Sequence, residues 1–217
     1  MEIISRFLSF CFIIILLPIL IFVSVLSIFF QGRPILFYQK RYGFNFKTFY
    51  IIKFRTMNKN NGISITEYND NRITHFGKFL RAYKIDELTQ LFNILKGDMR
   101  FIGPRPESSP YFNEHDFSFL RKIKPGLSDY ASIILRNESK ILFKIGGEDP
   151  YKKLLPMKLE LAKYYARNKS FFLDLKLVFI TIISILNSSY PLKKFIIPML
   201  EKDLPDVKSF CESYVFE

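Results

Sequence analysis

The chain has 217 residues and a formal net charge of +12, from 32 lysines and arginines against 20 aspartates and glutamates. Hydrophobic residues make up 49%, with 25 phenylalanines and no tryptophan, which supplies a core and excludes a disordered polyelectrolyte. The two cysteines, Cys11 and Cys211, lie far apart and give no disulfide framework and no metal site, while the positive excess points to an anionic partner: nucleic acid, an anionic leaflet or a phosphorylated substrate.

Residues 7–32 carry no charge, and "FIIILLPILIFVSVLSIFF" at their centre meets the roughly 20 apolar residues a membrane-spanning helix needs. The run is long for a secretory leader, and "SIFFQGRP" has no small-x-small cleavage signal. Pro18 removes one backbone hydrogen bond near the middle of the run and is expected to kink the helix. Arg6 precedes the run and Arg33, Lys40 and Arg41 follow it, so positive residues flank both ends. That balance favours a segment that dips into one leaflet and returns over one that spans.

Next, "ILFYQ" and "TFYIIKF" flank "RYGFN" within residues 32–57 and predict a short β-hairpin. Lys53 and Arg55 alternate around Phe54, so both face one side, either solvent and lipid headgroups or a bound phosphate. Residues 58–71 are rich in Asn and read as a surface loop. A short helix is expected over 73–82, bearing Lys78 and Arg81. A second helix follows, with Ile85, Leu88, Leu91, Phe92 and Leu95 as its buried stripe and Gly97 as its C-terminal cap.

On that pattern Asp86, Glu87, Gln90 and Asn93 lie off the stripe. Adjacent acids in a first helical turn ordinarily serve as caps worth about 1 kcal/mol. Their surroundings offer more. Arg81 lies five residues upstream, and Arg105 stands between two prolines in "GPRPE", where ring constraints cut the entropy of presenting its side chain. Two carboxylates and two arginines make a site for a divalent cation and a diphosphate, since Mg²⁺ takes one or two carboxylates plus phosphate oxygens and arginine pairs phosphate in bidentate fashion.

Beyond the site, residues 124–138 read as a turn leading into a short strand or loop bearing Arg136 and Asn137. "IGGEDPYKKLLP" reads as turn and linker, and a helix is expected over 157–167. Residues 170–186 are strongly apolar yet hold Asp174 and Lys176, charges that make a spanning helix costly. They are expected to lie in the membrane interface or on the core. The segment after Pro191 reads as a variable tail.

"KFRTM", "GKFLRAYKIDELTQLFNILKGDM" and "IGPRPE" resemble the bacterial sugar transferase family, the small monotopic phosphoglycosyl transferases, over residues 31–186. The resemblance implies an α+β, mostly helical fold: a monotopic membrane enzyme with an N-terminal re-entrant hydrophobic helix broken at Pro18, a short β-hairpin and interface-lying amphipathic helices. Expected divisions are a membrane helix over 1–31, a catalytic domain over 32–190 and a tail over 191–217, the minimal form of the family.

It implies that Asp86 and Glu87 are the catalytic dyad. Asp86 would attack the sugar-linked phosphorus of a UDP-sugar, and Glu87 would assist as Mg²⁺ ligand or in handling a proton. Arg81 and Arg105 would hold phosphate groups, with Lys53, Arg55 and Arg136 as further phosphate- or nucleotide-binding candidates. The implied acceptor is undecaprenyl phosphate, the implied place the cytoplasmic face of the bacterial inner membrane, and the implied partners membrane lipids and downstream glycosyltransferases. Leu17 where a Ser usually precedes the anchor proline, "PGLSDYASI" in place of "PGITGWAQV", and Ala162 where an Asp is common depart from the family pattern. The competing reading is a non-catalytic basic protein that recruits acidic partners to a membrane surface; nucleic-acid binding fits dispersed basic residues and an apolar anchor poorly.

Overall fold

The computed structural model describes residues 2–58, 68–107, 112, 115–186 and 189–216. The apolar N-terminus forms one helix, α1 (Glu2–Gln31), which runs without interruption through Pro18. At 1.5 Å per residue its 30 residues extend about 45 Å. Its buried residues are Ser9, Ile13, Leu20, Val23 and Ser27, a single stripe at helical spacing. The opposite face exposes Ile3, Phe7, Phe10, Ile15, Phe22 and Phe29. Unlike a soluble amphipathic helix, α1 is apolar on its exposed face too, while two serines lie among the buried residues.

The predicted hairpin is present as β1 (Leu36–Tyr42) and β2 (Thr48–Phe54), antiparallel with Leu36 opposite Phe54 and Tyr42 opposite Thr48. Helix α2 (His75–Ala82) begins two residues later than predicted because Thr74 caps it, its hydroxyl accepting the Gly77 N–H at 2.8 Å. The predicted loop before it lies largely outside the described residues.

The second predicted helix divides into a 3₁₀ segment, Ile85–Gln90, and α3 (Leu91–Lys96). Gly97 closes α3 at φ +88° as expected, and the Arg6 guanidinium occupies the space a Cβ there would need. The buried stripe needs correction. Ile94 is fully buried, but so, nearly, are Asn93, Gln90 and Asp86, because this segment is covered on two sides. α1 packs on one face and β2 on the other. Asn93 donates to the Tyr50 carbonyl at 2.7 Å and accepts the Ile52 N–H at 3.0 Å, and Thr89 donates to the Ile52 carbonyl at 2.8 Å. One turn apart on the helix, these two side chains satisfy the unpaired edge of a two-stranded sheet.

Residues 100–128 contribute β3 (Arg100–Ile102) and β4 (Gly126–Ser128), a parallel pair that brackets the "GPRPE" turn. Of the short strand or loop expected over 124–138, β4 is the strand and Arg136 and Asn137 sit in a turn, but helix α4 (Tyr130–Ile134), capped by Asp129, lies between them. Helix α5 (Glu138–Ile145) follows. The expected linker at residues 150–156 is the start of helix α6 (Pro150–Asn168). Asp149 caps it and Pro150 sits in its first turn, where a missing N–H costs nothing.

Helix α7 (Phe171–Leu186) buries Leu177, Ile180 and Ser184 and exposes Phe172, Leu175, Phe179 and Ile182. Asp174 points inward to Arg100 at 3.5 Å and to the Tyr165 hydroxyl, whereas Lys176 is exposed. The C-terminal residues, expected as a separate tail, belong to the main core. Leu192, Ile196, Leu200, Val207 and Cys211 are buried with Tyr130, Leu155 and Tyr165 of α4 and α6.

Candidate active site

The acid pair sits where three elements meet. Lys84 adopts a left-handed conformation (φ +57°), unusual for a residue with a Cβ, and turns the chain into the 3₁₀ segment. A 3₁₀ helix has three residues per turn, so neighbouring side chains diverge by about 120° and the two acids meet different surroundings.

Glu87 faces β2 and the "GPRPE" turn. Its Oε1 accepts from Lys53 at 3.0 Å and from Arg105 Nη2 at 2.6 Å, and its Oε2 accepts from Arg105 Nη1 at 3.3 Å. Burial alone would push the Glu87 carboxyl up, but Arg105, then Lys53 and Lys84, outweigh it and hold the group well below the usual carboxylate range. Glu87 in turn raises the Arg105 guanidinium above its ordinary value. The Lys53 ammonium is lowered by burial, with Glu87 opposing.

Asp86 has no such pairing. It is 6% exposed, and its Oδ1 is buried with no hydrogen-bond partner among the described residues. Burial, then the Glu87 charge, raise its pKa, and Lys53, Lys84 and Arg81 only partly offset them. The first-turn cap reading therefore fails for both acids. One carboxylate is locked between cations, and its neighbour is buried with one oxygen that has no hydrogen-bond partner among the described residues. An unsatisfied buried polar group is maintained only where surrounding structure compels it, and such groups cluster at functional sites.

Backbone contacts fix Arg105 as well. Its N–H donates to Asp129 Oδ2 at 3.1 Å, while Asp129 Oδ1 accepts the Ser132 N–H at 2.7 Å and so caps α4. Arg81, the other predicted phosphate ligand, donates from Nε to the Thr56 hydroxyl at 3.1 Å, and its charge acts on Asp86.

Two predicted ligands are engaged elsewhere. Arg55 donates to the carbonyls of Gln31 and Gly32 (2.8 Å to the latter), closing the C-terminus of α1. Arg136 donates to the carbonyl of Ser184 and, at 3.1 Å each, to those of Ala82 and Ile185, so it ties α2 to the end of α7. Both are cations at helix C-termini, where the dipole favours them. Arg136 also lines a cavity of about 40 Å³ with Lys140, Lys144 and Tyr214, which includes neither acid.

The structure thus brings Asp86, Glu87, Lys53, Arg105 and Arg81 together, and places the Arg55 and Arg136 guanidinium groups on helix carbonyls. Asp129, Thr89 and Asn93 went unassigned in the sequence. Their signals were a D-x-x-S cap pattern at 129–132 and an i, i+4 polar pair within the 3₁₀–α3 run.

The site is a buried carboxylate, Asp86, beside the Glu87–Lys53–Arg105 cluster, with Arg81 close enough for its charge to act on Asp86. The chain belongs to the bacterial sugar transferase family, whose model matches residues 1–188. It is 34% identical over 177 residues to a UDP-N-acetylgalactosamine-undecaprenyl-phosphate N-acetylgalactosaminephosphotransferase of Aeromonas hydrophila, covering 78% of this chain and 39% of that protein. It is 31% identical over 162 residues to a UDP-glucose:undecaprenyl-phosphate glucose-1-phosphate transferase of Xanthomonas campestris pv. campestris, covering 70% and 32%. The sugar transferase EpsL of Bacillus subtilis (strain 168), itself uncharacterized, is 37% identical over 160 residues, 72% of each chain. The chain therefore spans 39% and 32% of the length of the first two relatives.

Proposed function

We propose that this chain transfers a phosphosugar from a UDP-sugar to undecaprenyl phosphate, releasing UMP and leaving a polyprenyl-diphosphate sugar, the first membrane step of a surface glycan. The observation that carries the reading is the unpartnered buried oxygen of Asp86 beside the Glu87–Arg105–Lys53 cluster. The family membership and the relatives' names support it.

In this reading the Asp86 carboxylate attacks the sugar-linked phosphorus, a P–O bond forms, and the bond to UMP breaks with its electrons leaving on the UMP phosphate. The polyprenyl phosphate oxygen then attacks the same phosphorus and the aspartyl oxygen departs with its electron pair, restoring the carboxylate. Phosphoryl transfer of this kind is mainly positioning and charge neutralisation. Arg105 and Arg81 supply fixed positive charge for the diphosphate. Glu87, with its oxygens already facing cations, keeps Lys53 and Arg105 in place.

Mg²⁺ fits these residues only in part. No group of three or more His, Cys, Asp or Glu clusters among the described residues, and Asp86 offers the free carboxylate oxygen. A metal held by Asp86 and the donor's own phosphate oxygens matches how Mg²⁺ usually binds, and it would neutralise charge on the diphosphate. A recruitment protein has no use for a dry, unpaired carboxylate, which only costs stability.

We also infer that α1 enters one leaflet and does not span. Both ends of the helix are tied to the same domain. Glu2 pairs with Lys124 at 3.1 Å, Ser9 donates to the Leu91 carbonyl at 2.7 Å, and Gln31 accepts from Thr74 at 3.0 Å. A helix docked along its length on a polar domain has no free stretch with which to cross a bilayer. The exposed apolar faces of α1 and α7 would then rest in the cytoplasmic leaflet of the inner membrane.

Two experiments test these readings. UMP release would be measured with undecaprenyl phosphate, Mg²⁺ and a panel of UDP-sugars, with Asp86→Asn as control. Release with one donor that is lost in the variant is expected; an active Asp86→Asn protein would overturn the nucleophile. For topology, Ile3→Cys and Arg33→Cys in a Cys11→Ser/Cys211→Ser background should both react with an impermeant maleimide from the cytoplasmic side. Labelling from opposite sides would mean a spanning helix.

A further inference from the structure

The reaction makes no direct use of a second buried charge cluster, on the far side of the "GPRPE" turn. Glu107 ends that turn and is 6% exposed, as is Tyr151, with Lys158 at 7%. Lys158 Nζ lies 2.9 Å from Glu107 Oε1 and donates to the Tyr151 hydroxyl at 2.8 Å. The Tyr151 hydroxyl donates to Glu107 Oε2, closing a three-membered ring of contacts, and Glu138 lies 3.5 Å from the same ammonium. Tyr151 and Lys158 are seven residues apart on α6, two turns, and so present on one face.

A buried ion pair is weak grounds for stability, since apolar residues of the same shape often serve as well. What a closed ring of directional contacts does supply is a fixed position. Glu107 is two residues from Arg105, and Pro106 between them restricts the intervening φ. Arg105 is held from the other side by its N–H to Asp129 at 3.1 Å, and the Glu107 carbonyl accepts the Tyr42 N–H at 3.3 Å. The turn is therefore clamped on both sides of the arginine that meets Glu87.

We propose that Lys158 and Tyr151 are positioning residues: through Glu107 they set the "GPRPE" turn so that Arg105 reaches Glu87 and the donor's phosphates. The kinetic consequence rests on the transferase reading; the structural one does not.

The test is a cycle between this anchor and Arg105. Glu107→Gln/Lys158→Met removes the two charges of the central pair together, and the charges that lose a partner, Glu138 and Arg41, are only half-buried. It is expected to fold and to lower kcat/KM for the donor on the order of 100-fold, the effect of a displacement of about 1 Å. In an Arg105→Gln background the same pair should cause no further loss. Losses that multiply would overturn the proposal, as would a pair variant with unchanged kcat/KM.

Thermal unfolding gives a second readout. Arg105→Gln should lower Tm in the parent protein and leave it unchanged in the pair variant; equal shifts in both backgrounds would refute the coupling. A parent that releases no UMP from any donor would sink the transferase reading, while the unfolding cycle still decides this one. Should the pair variant fail to fold, Tyr151→Phe, which keeps the ion pair, carries the same cycle.

Discussion

Neutralising each of the two adjacent acids should change stability in opposite directions. Glu87 is the shared partner of Lys53 and Arg105, at 3.0 and 2.6 Å, with all three side chains largely buried. Glu87→Gln leaves two cations without their counter-charge, and breaking a buried pair in this way costs about 3–5 kcal/mol. Asp86 Oδ1 has no partner to lose. Asp86→Asn removes the penalty of a dry carboxylate, a gain of about 1–3 kcal/mol. For a chain of this size each kcal/mol moves Tm by about 2–4 °C. Glu87→Gln should therefore lower Tm by roughly 6–20 °C and Asp86→Asn raise it by roughly 2–12 °C.

The pH dependence separates the two further. The Glu87 pKa is depressed in the folded state, so its stabilisation is complete above its ordinary value of 4.5 and fades only as pH falls through the folded value. The Asp86 pKa is raised, so its penalty is absent below its ordinary 3.8, grows as pH rises towards the folded value, and is complete above that. The advantage of Asp86→Asn should shrink in acid, while the deficit of Glu87→Gln persists until the pH is far lower. Unfolding followed by circular dichroism suits a chain without tryptophan. Two variants that shift Tm in the same direction at neutral pH would refute the division of roles.

Arg55→Met should lower stability by about 1.5–3 kcal/mol, through lost charged hydrogen bonds at the end of α1, and leave the donor KM unchanged. A raised KM with intact stability would return Arg55 to the phosphate site. Gly126→Ala should destabilise by at least about 1–3 kcal/mol, because its Cβ would overlap the Gly103 backbone across the β3–β4 pair that bounds the "GPRPE" turn; unchanged unfolding would show that the turn can give way. Thr74→Ala should cost about 1 kcal/mol as the loss of a helix cap, read as a Tm shift with unaltered UMP release.

What could be read from the sequence was mostly local. The hairpin follows from β-branched and aromatic runs around a turn, and the Gly97 cap from one residue at a helix end. The acid pair and Arg105 stood out by unusual company. What could not be read depended on which surfaces meet. Asn93 looks solvent-facing by periodicity and is buried because the edge of β2 needs its amide. Arg55 and Arg136 look like phosphate ligands from charge alone, and only the folded chain shows helix carbonyls within their reach. The tail lacks a clean amphipathic period yet places Leu192, Leu200 and Cys211 in the core. The helix expected from residue 157 starts at Pro150, since a helix that already has a cap and packed faces can absorb the hydrogen bond missing at Pro156.

The apolar helix α1 and the acid pair are not independent modules. Ser9 of α1 donates to the carbonyl of Leu91, the residue that follows the 3₁₀ segment bearing Asp86 and Glu87. Ile13 packs with Ile51 of β2 and Leu91, and Leu20 and Val23 pack with Phe54 and Leu80. β2 also carries Lys53, one of the two cations on Glu87. In the proposed placement, the depth of α1 in one leaflet would fix the height of the acid pair above it, through contacts that pass close to the site. In the proposed reaction, which joins a water-soluble donor to a lipid phosphate, that height would decide whether both phosphorus-bearing groups can reach Asp86. Within a mainly apolar α1 interface, the single hydrogen bond from Ser9 to the Leu91 carbonyl holds that register in a way that an interchangeable apolar contact would not.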